Sequence, residues 1–298
     1  MATLTVILVD GAIFAAVLFL LSIGLTLIFG VLRILNIAHG SVYALGAYMA
    51  SFLALRVLGV GASPYWSYAM LLAGGVIVGL IVGPVVERLF LRQVYGRPEA
   101  IQLLVTFALF LILDDLMKLI FGTQPLIVSR PYSLLGQFSL GRVTYPWYDV
   151  LLIAASVALG GVLMWVVRGT RFGKLIVSVI TDREISMAIG IDVGRMYLVS
   201  FTVGALCAAL GGALIAPTIA VVPGVAVDVV VLSFAVIAIG GMGSLEGAAV
   251  GALIVGLVRA VAIQLFPELE LVMIYLIMVL VLMAKPAGLW GEAEVRRI

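Results

Sequence analysis

The sequence predicts an all-α, polytopic integral membrane protein with about eight or nine transmembrane helices, some of them broken or re-entrant. Composition is the first reason. Of 298 residues 64% are hydrophobic and 11% charged, with a mean hydropathy of +1.31, whereas an ordinary soluble domain carries roughly 25% charged residues. Spacing is the second: charge-free runs extend over Gly11–Leu32, Ile34–Leu55, Val57–Val86, Val150–Val167, Met196–Val227 and Val229–Leu245. Most of them reach the ~20 residues that a spanning helix needs. Punctuation is the third, because Pro217, Pro223 and Gly240-Gly241-Met242-Gly243 interrupt the late runs. Broken helices at membrane depth are tolerated only where protein buries them or where they line a cavity.

In order, the spans fall near residues 11–32, 40–58, 66–86, 100–121, 150–167, 196–216, 227–241, 247–265 and 270–284. Met1–Asp10 lacks the basic n-region of a cleavable signal peptide, so the first span is expected to stay. Asp114, Asp115 and Lys118 weaken the fourth, and the seventh and eighth are short enough to be re-entrant. Arg33, Arg88, Arg92, Arg97, Arg168, Arg171, Lys174, Arg183, Arg195, Lys285, Arg296 and Arg297 fall on one side, against Arg56, Arg130 and Arg142 on the other. By the positive-inside rule the larger group marks the cytoplasm, which puts the N-terminus outside and the C-terminus inside. Residues 123–149 then form the largest external loop, with Tyr145, Trp147 and Tyr148 suited to an interfacial belt. No composition shift divides the chain, so 1–298 reads as a single transmembrane domain.

Gly75, Gly79 and Gly83 make two successive GxxxG steps, and Gly247 and Gly251 another. Small residues four apart let helix backbones approach, within one chain or across a subunit interface. Net charge of +2 leaves no basic excess for nucleic acid. Metal and catalytic readings close quickly, since one cysteine, Cys207, and one histidine, His39, supply neither a disulfide framework nor a zinc pair. Gly169–Lys174 has three residues between its glycines and no Ser or Thr after the lysine, so it is a basic membrane-edge turn and no phosphate loop. The chain is expected to bind no cofactor or metal and to be no enzyme.

Two polar stretches remain. Asn36, His39 and Gly40 interrupt the first two long runs, either as a cytoplasmic turn at the membrane surface or as a partly buried hinge lining a pathway. Thr181-Asp182-Arg183-Glu184-Ile185-Ser186-Met187-Ala188-Ile189-Gly190 is a short charged interval. Thr181 and Glu184 have capping-box spacing, Gly190 is a plausible stop, and Ile185, Ala188 and Ile189 share one helical face. It reads either as a docked two-turn helix or as a solvated loop, and a proline at Glu184 is expected to cost such a helix about 3 kcal/mol.

Ser22–Tyr48, Gly211–Gly256 and Arg168–Val193 together resemble the permeases of branched-chain amino acid ABC importers of the LivH type. The matching residues include Leu35-Asn36-Ile37-Ala38-His39-Gly40 with Tyr43, Ala216-Pro217-Thr218, Val222-Pro223-Gly224 and Gly240-Gly241-Met242-Gly243-Ser244. The resemblance implies a permease that pairs with a second permease of the LivM type, two ATPase subunits that bind ATP, and an external solute-binding protein in the cell inner membrane. From the polar interruption and the late helix breaks, Asn36, His39, Gly40, Tyr43, Pro217, Thr218 and Pro223 are the expected pathway or hinge residues. By the resemblance, Phe172 and Thr181–Gly190 fall in the ATPase-coupling region. Glu184 and Gly190 fit the general Glu-Ala-Ala-x-x-x-Gly importer motif, with Ile185 and Ser186 in place of the alanines. Relatives of this type also serve importers of urea, short amides and aromatic acids. A stand-alone channel or ion-coupled carrier is the reading from another class, and such carriers usually place central carboxylates in their helices.

Overall fold

A computed structural model describes residues 2–140 and 143–291. Its helices are α1 (Ala2–Leu32), α2 (His39–Gly59), α3 (Trp66–Leu89), α4 (Glu99–Phe121), α5 (Arg130–Leu134), α6 (Trp147–Gly169), α7 (Arg171–Thr181), α8 (Arg183–Ala188), α9 (Val193–Ile215), α10 (Val225–Gly240), α11 (Leu245–Leu265) and α12 (Glu270–Ala284). One antiparallel hairpin, β1 (Gln137–Leu140) with β2 (Val143–Pro146), sits in the loop between α5 and α6, pairing Phe138 with Tyr145. Among the described residues seven helices are long and apolar enough to cross a membrane. To these are added the 23-residue α4, which carries Asp114, Asp115 and Lys118, and the 16-residue α10.

Each expected span therefore meets a helix. The eighth is corrected: it is no short re-entrant piece but the 21-residue α11, because Ser244 caps its start by accepting from the Gly247 amide at 3.0 Å. The seventh is the short one. Gly224 at φ +90° and Gly241 at φ +111° bound α10, in a region of backbone space that side-chain-bearing residues avoid. Charges in α4 offset each other locally, with Lys118 Nζ 2.7 Å from Asp114 Oδ2 and 3.0 Å from Asp115 Oδ1.

One continuous buried cluster runs from Leu18 in α1 to Ile274 in α12. Its centre is α1, α2, α3 and α9, with α11 along α1 and α10 against α11. Lipid provides no hydrophobic drive between helices, so the approach depends on small residues. Gly75, Gly79 and Gly83 face Leu210, Leu206 and Thr202 of α9, while Gly247 and Gly251 face Gly240 and Val236 of α10. Both glycine series thus serve contacts inside the chain.

Polar contacts tie each end of the bundle. At one end Tyr145 donates to Asp10 Oδ1 at 3.0 Å, Tyr68 to the Pro131 carbonyl at 2.8 Å and Tyr148 to the Leu214 carbonyl at 2.6 Å. Leu126 and Val221 exchange both backbone hydrogen bonds there, and Arg259 pairs with Glu270 while lying 3.7 Å from the Phe14 ring centroid. At the other end Arg168 pairs with Glu246, and Gly30 touches Gly243. The described members of the larger basic group lie at this second end, whereas Arg56 and Arg130 lie at the first. Arg142, Arg296 and Arg297 lie outside the described residues.

Candidate functional site

The charged stretch after α7 is a helix. α7 itself starts from Thr170, whose hydroxyl accepts from the Gly173 amide at 3.2 Å, and buries Gly173, Ile176 and Val179 on one face. Phe172 is half-buried against the core. The predicted cap shifts by one residue. Thr181 is the last residue of α7, its hydroxyl turned back to the Val177 carbonyl at 2.9 Å. Asp182 is extended (φ −152°, ψ 106°), and its Oδ1 accepts from the Ile185 amide at 2.9 Å, so Asp182 caps α8. Carboxylate caps rank above threonine caps, which is the signal that the spacing rule overrode. The reciprocal bond from Glu184 is absent among the described residues.

Gly190 ends the helix at φ +88°, with its amide on the Met187 carbonyl and the Ile191 amide on the Ser186 carbonyl. That is a Schellman stop. Between cap and stop, Ser186 is buried while Ile185, Ala188 and Ile189 are exposed, Ile185 at 60% and Ile189 at 70%. The chain thus presents an apolar face on a six-residue helix that could not persist alone.

Behind this face lies a cavity of about 640 Å³, walled by Arg92, Tyr95, Arg183, Met187, Asp192 and Tyr197 among others. Its floor is a chain of contacts that sequence reasoning missed. Glu87, fully buried at the end of α3, accepts from the Tyr95 hydroxyl at 2.9 Å. The Tyr95 ring meets Tyr197 of α9 edge-on at 5.0 Å, and Arg183 of α8 lies 5.7 Å from the Tyr197 centroid. Burial, and after it the Glu87 carboxylate, push the Tyr95 hydroxyl well above the ordinary phenol range, so it stays protonated and donates. The contacts bind α8 to α3 and α9. No local spacing marks them, since Glu87 only closes a long apolar run and Tyr95 follows in a loop.

The Asn36 stretch is deeper than expected. Arg33 takes a left-handed conformation (φ +56°) after α1, and the chain turns back into the bundle. The His39 ring places Nε2 3.0 Å from the Leu21 carbonyl, eleven residues before the end of α1 at Leu32. At 1.5 Å per residue that is about 16 Å from the helix end. The expected place at or just below the membrane surface is thereby corrected: helix α2 starts inside the bundle. Thr106 and Ser41 hold the link, donating to the Leu35 carbonyl at 3.1 Å and the Phe110 carbonyl at 3.2 Å.

Asn36, His39 and Tyr43 are buried, and neither polar atom of the Asn36 side chain has a partner among the described residues. Gly40 packs so closely that a Cβ there would lie 2.4 Å from the Ala226 carbonyl oxygen, in the first turn of α10. The second break lies beside it. Pro217 is buried and Thr218 donates to the Ile215 carbonyl at 2.8 Å, in a turn that touches α2. Pro223 is half-buried just before α10. The structure therefore brings Asn36, His39, Gly40 and Tyr43 to one break and Pro217, Thr218 and Pro223 to an adjoining one. The Thr181–Gly190 stretch stands apart from both.

The family described as branched-chain amino acid transport system / permease component matches residues 7–282. The chain belongs to this family. Among curated relatives of this branched-chain permease, LivH of Salmonella typhimurium (strain LT2), a high-affinity branched-chain amino acid transport system permease protein, is 26% identical over 97% of this chain and 96% of its own. LivH of Escherichia coli (strain K12) is 25% identical over the same shares, and BraD of Pseudomonas aeruginosa 26% over 98% and 97%. No solved structure matches the permease. It is a multi-pass membrane transport protein, with every spanning element from α1 to α12 inside or overlapping the matched range.

Proposed function

We propose that this permease is one half of the membrane pathway of an ATP-driven importer for branched-chain amino acids in the inner membrane. It works with a second permease of the LivM type, two ATPase subunits that bind the nucleotide and an external solute-binding protein. The observation that carries the reading is the family match across residues 7–282, which takes in both helix breaks and the α8 face. The exposed apolar side of α8, with Ile185, Ala188 and Ile189, seats on an ATPase subunit. Glu87, Tyr95 and Tyr197 pass the push to α3 and α9, and the rigid spans convert it into alternating access. Asn36 and His39 supply an amide and an imidazole that exchange backbone partners at the α2 break without a fixed charge.

The test is uptake of leucine by the complete complex reconstituted in proteoliposomes with its ATPases, second permease and binding protein. ATP-dependent uptake by the parent is expected, with slower uptake by His39→Ala although the complex assembles. Uptake of urea or short amides with no leucine uptake would overturn the solute assignment.

The N-terminus lies outside and the C-terminus inside, on the strength of the basic residues at the α8 end of the bundle. Exposed positions at each end give the check. Cysteine at Ser133, in α5, is expected to react with an impermeant thiol reagent on intact cells, and cysteine at Ser178, in α7, only after permeabilisation. The opposite pattern would invert the topology.

A further inference from the structure

Asp228 is exposed in the first turn of α10, and its neighbours fix its depth. Gly40, which touches Ala226, follows His39, whose ring reaches Leu21 well inside α1. Ser41 donates to Phe110, near the middle of α4 (Glu99–Phe121). From this level α10 runs to the end where Gly243 meets Gly30. At 1.5 Å per residue Asp228 lies about 18 Å from Gly240, inside a hydrocarbon layer ~30 Å thick.

Its direction follows from helix geometry. Ala226 and Val230 face α2, and Asp228, two residues after Ala226, is turned about 200° from it. It shares that side with Val227 and Val231, which are exposed at 46% and 38%. No cation among the described residues pairs with it. A carboxylate at this depth is too unfavourable against acyl chains to be ordinary surface, so this side of α10 faces water or a cationic group. The adjoining break adds buried polar atoms, since Asn36 has both side-chain atoms unpartnered and His39 Nδ1 is likewise unpartnered among the described residues.

We propose that Asp228 lines the aqueous pathway and receives the ammonium group of the amino-acid solute as it passes the centre of the membrane. The assignment rests on the amino-acid reading above and adds a residue to it. A carboxylate–ammonium contact there is charge-assisted and stronger than a neutral hydrogen bond, while a single such contact stays weak enough to release the solute.

The experiment uses the complete reconstituted complex and a reporter cysteine at Val231, one turn along the same side, in a chain whose other thiol, Cys207, is buried. Val231→Cys is expected to react with 2-aminoethyl methanethiosulfonate. Leucine should slow that reaction by roughly tenfold, and 4-methylpentanoate, which lacks the ammonium, should not. The protection should vanish in Asp228→Asn and return in Asp228→Glu, with leucine uptake following the same order and co-purification of the ATPases reporting assembly. An inert Val231→Cys, or protection unchanged by Asp228→Asn, overturns the proposal; the first result would mean that lipid or a cationic partner subunit covers this side. Absence of leucine uptake by the parent complex is a different result, which removes the amino-acid reading and this assignment with it.

Discussion

Ile185→Asp and Ile189→Asp are each expected to cut solute uptake by at least about tenfold, because each puts a charge into an apolar dock where burial without a partner is costly. Both side chains are largely exposed in the chain, so neither change removes a core contact. Position 185 is the cleaner test. It lies in the first turn of α8, where the helix dipole favours a carboxylate, so a loss there cannot be laid to a weakened helix. ATP hydrolysis by the purified complex, measured beside uptake, separates uncoupling from failed assembly. Normal uptake by both variants would sink the docking role. Proline at Glu184 becomes a weaker probe than its spacing suggested. With Asp182 as the cap, Glu184 is the second helical residue, and proline is tolerated in the first turn.

Gly79→Ala is expected to destabilise the folded protein clearly, although it adds only one methyl. A Cβ there would lie 2.5 Å from the Leu206 Cα and 2.9 Å from its Cδ1, so the α9 backbone must move. Overpacking of this kind costs about 1–3 kcal/mol, and larger residues should lower the yield of detergent-stable protein further. Gly161→Ala in α6 is the control, since nothing lies within 4 Å of its added methyl. Alanine is the better helix former by roughly 0.8–1.0 kcal/mol. Thermal unfolding in detergent reads both, and equal melting temperatures for Gly79→Ala and the parent would refute the packing account.

The spans were legible because membrane helices declare themselves within one window: about twenty apolar residues, then a charge or a turn. Breaks at Pro217, Pro223 and Gly240–Gly243 were legible for the same reason, being written in residues that shape their own backbone. Depth was not. That α2 begins near the level of Leu21 depends on a contact across eighteen residues and on Gly40 meeting Ala226, and a hydropathy run carries neither. The α8 stretch left a short helix with an apolar face and a solvated loop both open; the structure has the helix, with its cap one residue later because α7 claims Thr181. Glu87 went unnoticed since its partner, Tyr95, sits beyond the end of its helix. By hydropathy Asp228 merely divides the charge-free runs Met196–Val227 and Val229–Leu245, and its depth follows only from the position of α10 beside α2.

Helix α10 has no loose end. Its last carbonyls, Ile239 and Gly240, accept from the Leu289 and Trp290 amides at 2.9 and 2.7 Å, and its first turn is wedged against Gly40. Mechanically it is a strut pinned at both ends, unlike a lever hinged at one. Tilting it would have to displace the opening of α2 and the segment after α12 in the same step, disturbing the Gly40 packing at one pin and the two hydrogen bonds at the other. An element held this way is expected to stay put or to move together with both of its anchors, so that a shift at either end is felt at the other.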